Sequence, residues 1–360
     1  MNIDFHHAVT YVLARLAGFC CEDADIIAYS AQYVDDAVID RLVHFKNGAT
    51  FKPLCSAHKM LDYRNFDSLA NHTVWLPFHF LPGNAGLPEG EGRDLDFIDK
   101  IICFPNSYIA QDMVKECIRN SREPNGLHRL GVTMHVYADT WAHQGFAGVQ
   151  NVVNVVGYLH DDKISKTLLT KLSSFFEDLF ELQASAFVGT SMPLGHGPVL
   201  SYPDRPYLTW RYKNYNGVVI ERTNWSNCLE AAENMFLVMK RFQLDNPEAE
   251  VEGLSKGALA KFSSLFKEII DDDPEARHQE WLKIIKKGEF DFGSETLSYV
   301  PTGPGSWEYD ITQGEDIALS KLNYDNNFLR SNWKKFNDAL VDHYYYLHRV
   351  LFPRYGIFTG

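Results

Sequence analysis

The sequence predicts a mainly α protein, a multi-helix bundle with one small β-hairpin near residues 208–223. Two patterns indicate this class. Apolar residues recur at helical spacing in most segments, and an alternating stretch around Asn216-Gly217 has a turn dipeptide typical of hairpins. The composition, with 45% hydrophobic and 22% charged residues, is that of a globular chain. It excludes wholesale disorder, collagen and coiled coils.

The first helix is predicted over residues 4–19, where Asp4 is a candidate N-cap and Gly18 lies near the end. A second helix is predicted over about 23–40. Later helices are expected at 94–104, 107–121, 126–144, 163–183, 224–243, 254–270, 274–286 and 327–350. Stretches of Pro and Gly without a regular period predict long loops at 82–93 and 185–210, and long ordered loops are often functional.

The charge balance and the cysteines exclude several classes of protein. Lys and Arg number 34 against 47 Asp and Glu, and the net charge of −13 argues against wrapping duplex nucleic acid. The six cysteines form no CxxC pair and no disulfide framework. No apolar run approaches the roughly 18 residues that span a bilayer, and MNIDFHH does not resemble a leader, so we expect a cytoplasmic location.

The segment HVYADTWAH carries the clearest chemical pattern. His135, Asp139 and His143 are spaced four apart, so they span only about 80° of one helix face. Such a stripe can bind metal, or it can be a buried polar stripe with each imidazole hydrogen-bonded to a neighbour. There is no HExxH motif, so a metalloprotease would lack its general base. The central aspartate favours an arrangement in which Asp139 bridges two ions.

Further candidate ligands lie elsewhere in the chain. They share the residue types that bind zinc, imidazole and carboxylate, but each has an ordinary structural alternative such as a helix start or a turn. These candidates are His6, Asp35 or Asp36, His79, His196 and Asp204.

The order of these motifs resembles the superfamily of bacterial zinc-dependent phospholipases C and fungal and plant zinc-dependent single-strand nucleases. The likeness covers roughly residues 1–210, and HVYADTWAH is its most specific part. AQYVD is similar to the family's A-x-aromatic-x-D segment, which selects Asp35 over Asp36. PFHF is similar to the family's loop that supplies the next histidine ligand, which corresponds to His79 in this chain. A likeness over nearly the whole chain links DFHH, QYVDDA, HVYADTWAHQGF and SYPDRP to an uncharacterised bacterial family.

The resemblance implies a mainly helical, phospholipase C/nuclease-like bundle with two or three zinc ions at the bottom of a cleft. The first ion would be bound by Asp35, His79, His135 and Asp139. The second would be bound by His143 and His196, with Asp204 as the candidate for the missing acid, and the third by His6 and a shared Asp139. The secreted relatives also use the amino group of an N-terminal tryptophan, and Asp4 is a candidate to replace it.

The predicted function is hydrolysis of phosphoric esters or phosphodiesters by a metal-bound water, with Asp35 and Asp139 as the catalytic carboxylates. Candidate substrate contacts are Trp141, Tyr202 and Arg205. The expected ligand is a small phosphoester or a phospholipid, and single-stranded nucleic acid is a further candidate. No protein partner can be inferred from the sequence. The alternative is a non-catalytic binding or effector module with a structural or degenerate metal site.

The length of 360 residues gives a prior of about two domains. We expect residues 1–245 to form a helical metal-site domain that contains both long loops. Residues 246–360 are expected to form a C-terminal helical extension, either separate or packed on the same domain.

Overall fold

The computed structural model describes residues 1–58, 68–161, 194–315 and 321–359. Helices dominate these residues, which confirms the mainly α class. In chain order they are α1 (Thr10–Ala17), α2 (Cys21–Asp36), α3 (Ser68–Phe78), α4 (Phe97–Ile101), α5 (Tyr108–Arg119), α6 (Gly126–Ala142), α7 (Asn224–Gln243), α8 (Lys256–Glu268), α9 (Pro274–Lys286), α10 (Trp307–Thr312), α11 (Asn326–Arg330), α12 (Asn332–Tyr346) and α13 (Phe352–Arg354). A π-helical segment, Asp4–Val9, precedes α1, and another, Leu347–Leu351, follows α12.

The strands form two small sheets in the described part of the chain. They are β1 (Val43–Phe45), β2 (Thr50–Phe51), β3 (Gly157–Asp161), β4 (Thr209–Lys213), β5 (Val219–Thr223) and β6 (Lys321–Leu322). One sheet has the order β2-β1-β6, with β1 and β6 parallel. The other has the order β3-β4-β5 and is antiparallel. The predicted hairpin is therefore β4–β5, and β3 extends it into a sheet.

Helices α2 and α6 cross closely, and this crossing brings two parts of the site together. Gly131 lies on α6 at the crossing, and a Cβ atom added there would lie 2.4 Å from the carbonyl oxygen of Ile27 on α2. Only a glycine permits this approach of the two backbones. The end of α2, with Asp35, therefore lies beside the middle of α6, with His135 and Asp139.

The C-terminal helices pack on the same core as the N-terminal ones. The largest hydrophobic cluster contains Phe5 and Met134 together with Phe262, Trp281 and Leu351, all nearly or fully buried. Helix α9 also packs against the first π-helical segment. The described part of residues 246–360 thus shares one hydrophobic core with the N-terminal helices.

Most predicted helices agree with the structure, and α7 and α9 have the predicted bounds. Helix α3 was not predicted, because Val74 to Phe78 is a continuous apolar run that includes Pro77 and shows no helical period. The helix predicted at 163–183, and part of the 185–210 loop, lie outside the described residues. Among the described helices, none combines the length and the apolar character needed to span a bilayer.

Candidate metal centre

Five separate elements deliver the predicted ligands to one place. Helix α6 supplies His135 and Asp139, and His143 follows its last residue. The remaining ligands come from the π-helical segment, the end of α2, the residue after α3, and the 3-10 turns near residues 197–204, and they are His6, Asp35, His79, His196 and Asp204. Ligand atoms of eight residues converge in three triplets, two of which share His135, and the atoms of each triplet lie within 4.8 Å of one another.

We define group A as His6, Asp35, His79, His135 and Asp139. The His79 Nδ1 and His135 Nε2 atoms are 3.2 Å apart, and Asp139 Oδ2 lies 3.4 Å from His135 Nε2 and 3.6 Å from His79 Nδ1. Asp35 Oδ1 lies 3.7 Å from His79 Nδ1 and 3.8 Å from His135 Nε2. Ligands about 2.0–2.2 Å from a tetrahedral ion would be about 3.3 Å apart, so these separations fit one shared ion.

His6 extends group A on the other side of Asp139. Its Nε2 atom lies 3.2 Å from Asp139 Oδ1, and its ring stacks on that of His135 with 3.8 Å between centroids. Both of its ring nitrogens are buried without a hydrogen-bond partner. A buried polar side chain of this kind is costly unless an ion or water satisfies it.

We define group B as His143, His196 and Asp204. Asp204 Oδ1 lies 3.7 Å from His143 Nε2, and its Oδ2 lies 3.8 Å from His196 Nε2. Asp204 follows His196 by eight residues, which differs from the short helical pair of the resembled family. The two 3-10 turns, Gly197–Val199 and Tyr202–Asp204, fold the chain back so that both side chains still face His143.

Main-chain oxygens fix the tautomers of four of these histidines. The ring nitrogen on the outer side of each donates to a carbonyl oxygen at 2.6–2.9 Å. The pairs are His79 Nε2 with Ser56, His135 Nδ1 with Ala31, His143 Nδ1 with His79, and His196 Nδ1 with Leu200. In the neutral form of each ring the inner nitrogen presents a lone pair, and such outer bonds are typical of metal-binding histidines.

The electrostatics of the centre favour the neutral forms of His6 and His196 and the ionised forms of Asp139 and Asp204. Burial lowers the pKa of His6 to about 3 and that of His196 to about 4. Burial alone would raise the pKa of Asp139, but His143, the Met1 amino group and His135 hold it well below its usual range. The pKa of His135 is raised, because Asp139 and Asp35 outweigh its burial. Positive charge is thus favoured between these side chains.

The Met1 amino group supplies one positive charge at the edge of the centre. It contacts Asp139 Oδ1 and lies 3.4 Å from Asp204 Oδ1. Burial would lower its pKa, but Asp139, Asp204 and Asp35 raise it to about 11. No Lys or Arg side chain in the described ranges forms an ion pair with these three carboxylates. The donor set and its uncompensated negative charge fit divalent cations, and a zinc ion suits the mixture of nitrogen and oxygen ligands.

A protein-family model described as "Family of unknown function (DUF6765)" matches residues 1–351. The chain belongs to this family. No curated protein and no solved structure matches the chain.

The predicted substrate contacts of this DUF6765 member lie outside groups A and B. Trp141 is completely buried in the core beside Tyr137, and Tyr202 is 1% exposed against Trp210. Neither has accessible surface for a ligand in this conformation. Arg205 is paired with Asp272, 2.5 Å from its Oδ1 atom. Their role as substrate contacts stays a prediction.

Asp4 does not take the place of an N-terminal ligand in this DUF6765 member. Its carboxylate pairs with the buried guanidinium of Arg277, with 2.7 Å between Oδ2 and Nε. The Met1 amino group lies at the position beside Asp139 instead. A backbone group carries no side-chain signal, so the residue pattern did not reveal it.

Sequence reasoning also missed Trp75. This partly exposed indole lies 5.0 Å from the imidazole of His79, measured between ring centroids, and 6.3 Å from that of His58. Trp75 precedes His79 by four residues, so helical spacing alone would have placed the two on one face.

Proposed function

We propose that the protein is a metal-dependent hydrolase of phosphoric esters or phosphodiesters, with two or three zinc ions in groups A and B. One observation carries this proposal. His79 Nδ1 and His135 Nε2 both face inward, 3.2 Å apart, a separation that suits two ligands of one ion. Group B places a second set of ligands beside the first, and paired ions are typical of phosphoester hydrolysis. The resemblance to zinc-dependent phospholipases C and nucleases adds support.

The residues would divide the work as follows. Bound divalent ions would lower the pKa of a water molecule and polarise a phosphoryl oxygen. Asp139 would join the two sides of group A, since its two oxygens face His6 on one side and His79 and His135 on the other. Asp35, whose side chain is 32% exposed, is placed to accept a proton at the solvent side of group A.

The charge of the centre makes phosphate binding depend on the ions. Asp35, Asp139 and Asp204 contribute three negative charges, whereas two or three divalent ions would contribute about +4 to +6. A phosphate ester would therefore meet a positive surface only when metal is bound. The substrate class we propose is a small phosphoester or a phospholipid, with single-stranded nucleic acid as a further candidate.

The metal content of the purified protein tests this proposal. Protein purified without added zinc should contain at least about two equivalents of metal by mass spectrometry and should hydrolyse bis-p-nitrophenyl phosphate. Asp139→Asn should lower turnover by about 100-fold or more and lower the metal content, because it removes the carboxylate that lies between His6, His79 and His135 in group A. The control Asp338→Asn, an exposed aspartate paired with Lys334, should leave both unchanged.

A second function is favoured by the burial of group A. His6, His79, His135 and Asp139 are 0–4% exposed, and closed sites of this kind often hold a structural ion. The protein would then be a non-catalytic binding or effector module. One tightly held ion, with no turnover on a panel of phosphoesters, lipid micelles or single strands, would exclude the hydrolase and favour this module.

A further inference from the structure

We propose that Arg222 is a positioning residue that fixes the end of helix α6 and thereby sets the position of His143 in group B. The inference rests on the proposed function, since it assigns a role within the proposed metal centre. It concerns a side chain that contacts none of the candidate ligands' side chains in the described structure.

Arg222 binds the main-chain oxygens on both sides of His143. Its Nη2 atom donates to the carbonyl oxygens of Trp141 at 2.9 Å and Ala142 at 3.0 Å, and its Nη1 atom donates to that of Gln144 at 3.3 Å. The last carbonyl oxygens of a helix have no partners within the helix. A guanidinium with donors in a fixed fork can bind two of them, those of Trp141 and Ala142, together with the Gln144 oxygen just beyond the helix, and its charge complements the negative end of the helix dipole.

The environment of Arg222 is unusual for a cation. The residue is only 4% exposed, and no carboxylate of the described residues pairs with it. Its neighbours are the Tyr212 hydroxyl and the Trp210 ring, whose centroid lies 5.7 Å from the guanidinium carbon. A buried cation without an acidic partner is costly, so the bonds to the end of α6 are the interactions that compensate for its burial.

The carbonyl oxygens that Arg222 holds determine where His143 lies. The His143 amide donates to the Asp139 carbonyl at 2.8 Å, and the ring Nδ1 donates to the His79 carbonyl at 2.6 Å. Phe80 stacks on the same ring with 4.5 Å between centroids. A shift of the chain at 141–144 would turn the Nε2 atom of His143 away from Asp204. Asp139 lies a full turn earlier in the helix, so group A would be affected less.

The inference is tested by measuring zinc binding to group A and to group B separately in the Arg222→Lys variant. The lysine keeps the charge but offers one nitrogen, which cannot reach three carbonyl oxygens. The matched control is Arg129→Lys, because Arg129 is equally buried near the other end of α6 and pairs with Glu116. Two reference variants show what the loss of metal binding in one group looks like: His196→Ala for group B and His79→Ala for group A. Readouts are zinc stoichiometry, zinc affinity by chelator competition and the visible spectrum of the cobalt-substituted protein.

We expect Arg222→Lys to weaken zinc binding by about 10- to 100-fold in group B only, the range usual for residues that orient a ligand. Its cobalt spectrum should approach that of His196→Ala, while Arg129→Lys matches the wild type. Tyr212→Phe, which removes one neighbour of the guanidinium, should shift group B in the same direction by several fold. This milder variant decides the question if Arg222→Lys does not fold.

Three outcomes would overturn the inference. Wild-type affinity in both groups would show that Arg222 supports the fold alone. Equal weakening of groups A and B would show a global effect without selectivity. A wild-type protein that binds no metal would remove the proposed function itself, which distinguishes that failure from the first two.

Discussion

A buried histidine is not in itself a sign of metal binding in this chain. His128, His278 and His343 are as buried as the candidate ligand histidines, but the Nδ1 atom of each has no hydrogen-bond partner, and His278 alone of the three has a carboxylate near it, with Glu275 Oε2 3.9 Å from its Nδ1, among the ion pairs of the described residues. His128 lies on the same stripe of α6 as His135, two turns earlier, where its Nε2 atom contacts Asn332 Oδ1 at 3.2 Å. The ligand histidines differ because their inner nitrogens converge on Asp139 and Asp204.

His128 predicts a dependence of stability on pH. Burial lowers its pKa to about 3, below the value of 6.5 in the unfolded chain. The unfolded state therefore binds the proton first, and the stability present above pH 6.5 is lost as the pH falls towards 3. For one such histidine the loss between pH 7 and pH 5 is about 2 kcal/mol.

Urea unfolding of chelator-treated protein at pH 7 and pH 5 measures this contribution. His128→Gln keeps a donor for Asn332 but does not titrate, so its stability should fall by about 2 kcal/mol less than that of the wild type. Equal losses in the two proteins would show that His128 is not held neutral by the fold.

The sequence was sufficient to predict which candidate ligands share one face of a regular helix. It predicted less well how residues in loops and turns would be placed. The spacing of His135, Asp139 and His143 follows from the period of α6 alone. Asp204 faces His143 only because two 3-10 turns reverse the chain, and such turns have no periodic signal. Trp141 was expected near a ligand, but it lies on the opposite side of α6 in the core, because a helix that is buried all round presents apolar residues in every direction.

At the scale of elements, the α2–α6 crossing determines whether group A can form. Gly131→Ala would place a methyl group 2.4 Å from the Ile27 carbonyl oxygen and force the helices apart. We expect a loss of about 1–3 kcal/mol in the free energy of unfolding, together with weaker zinc binding, since Asp35 and His135 lie on opposite helices.

The matched control is Gly257→Ala in α8, where the nearest atom to an added Cβ is Ser255 Oγ at 3.8 Å. That substitution should stabilise the protein by about 0.5–1 kcal/mol and leave zinc binding unchanged. A Gly131→Ala protein with wild-type stability would show that the crossing tolerates a side chain.

Long amphipathic helices were predictable, whereas short or uniformly apolar elements were not. Helix α7 has 20 residues, and α9 has a clear signal at its start, where Asp273 accepts a hydrogen bond from the amide of Glu275 at 3.0 Å. Strands β1, β2 and β6 have two or three residues each, too few to show alternation. Their pairing depends on contacts between residues far apart in sequence, and sequence patterns do not record such contacts.

At the scale of the whole molecule, a buried ion pair joins the N-terminal π-helical segment to helix α9. Asp4 and Arg277 are 2% and 1% exposed, and the guanidinium also donates to the carbonyl oxygen of Asp271 at 2.9 Å. A weaker contact of 3.4 Å connects it to the carbonyl oxygen of Asp204 in group B. Arg277 therefore links the C-terminal helices to the metal centre.

Arg277→Met should destabilise the protein by about 3–5 kcal/mol, because Asp4 is left buried without a partner. The double variant Asp4→Leu/Arg277→Met should recover part of this loss. The control Lys283→Met, which breaks the exposed pair with Glu280 on the same helix, should cost about 0–1 kcal/mol.

Urea unfolding followed by circular dichroism and by tryptophan fluorescence provides the measurement. A single transition is expected in the wild type, since residues on both sides of position 245 share one core. Separate unfolding of residues 246–360 with an intact remainder would contradict this and support two domains.

The main-chain oxygens that orient the four ligand histidines have an evolutionary consequence. A carbonyl oxygen is present whatever side chain a position carries, so substitutions at Ala31, Ser56 or Leu200 can leave the ring orientations intact. The protein can therefore diverge widely around its centre while keeping the same inner nitrogens aimed at the same point. Relatives should be recognised by the eight inward-facing candidate ligands and by the backbone path that surrounds them, rather than by any shared set of outer side chains.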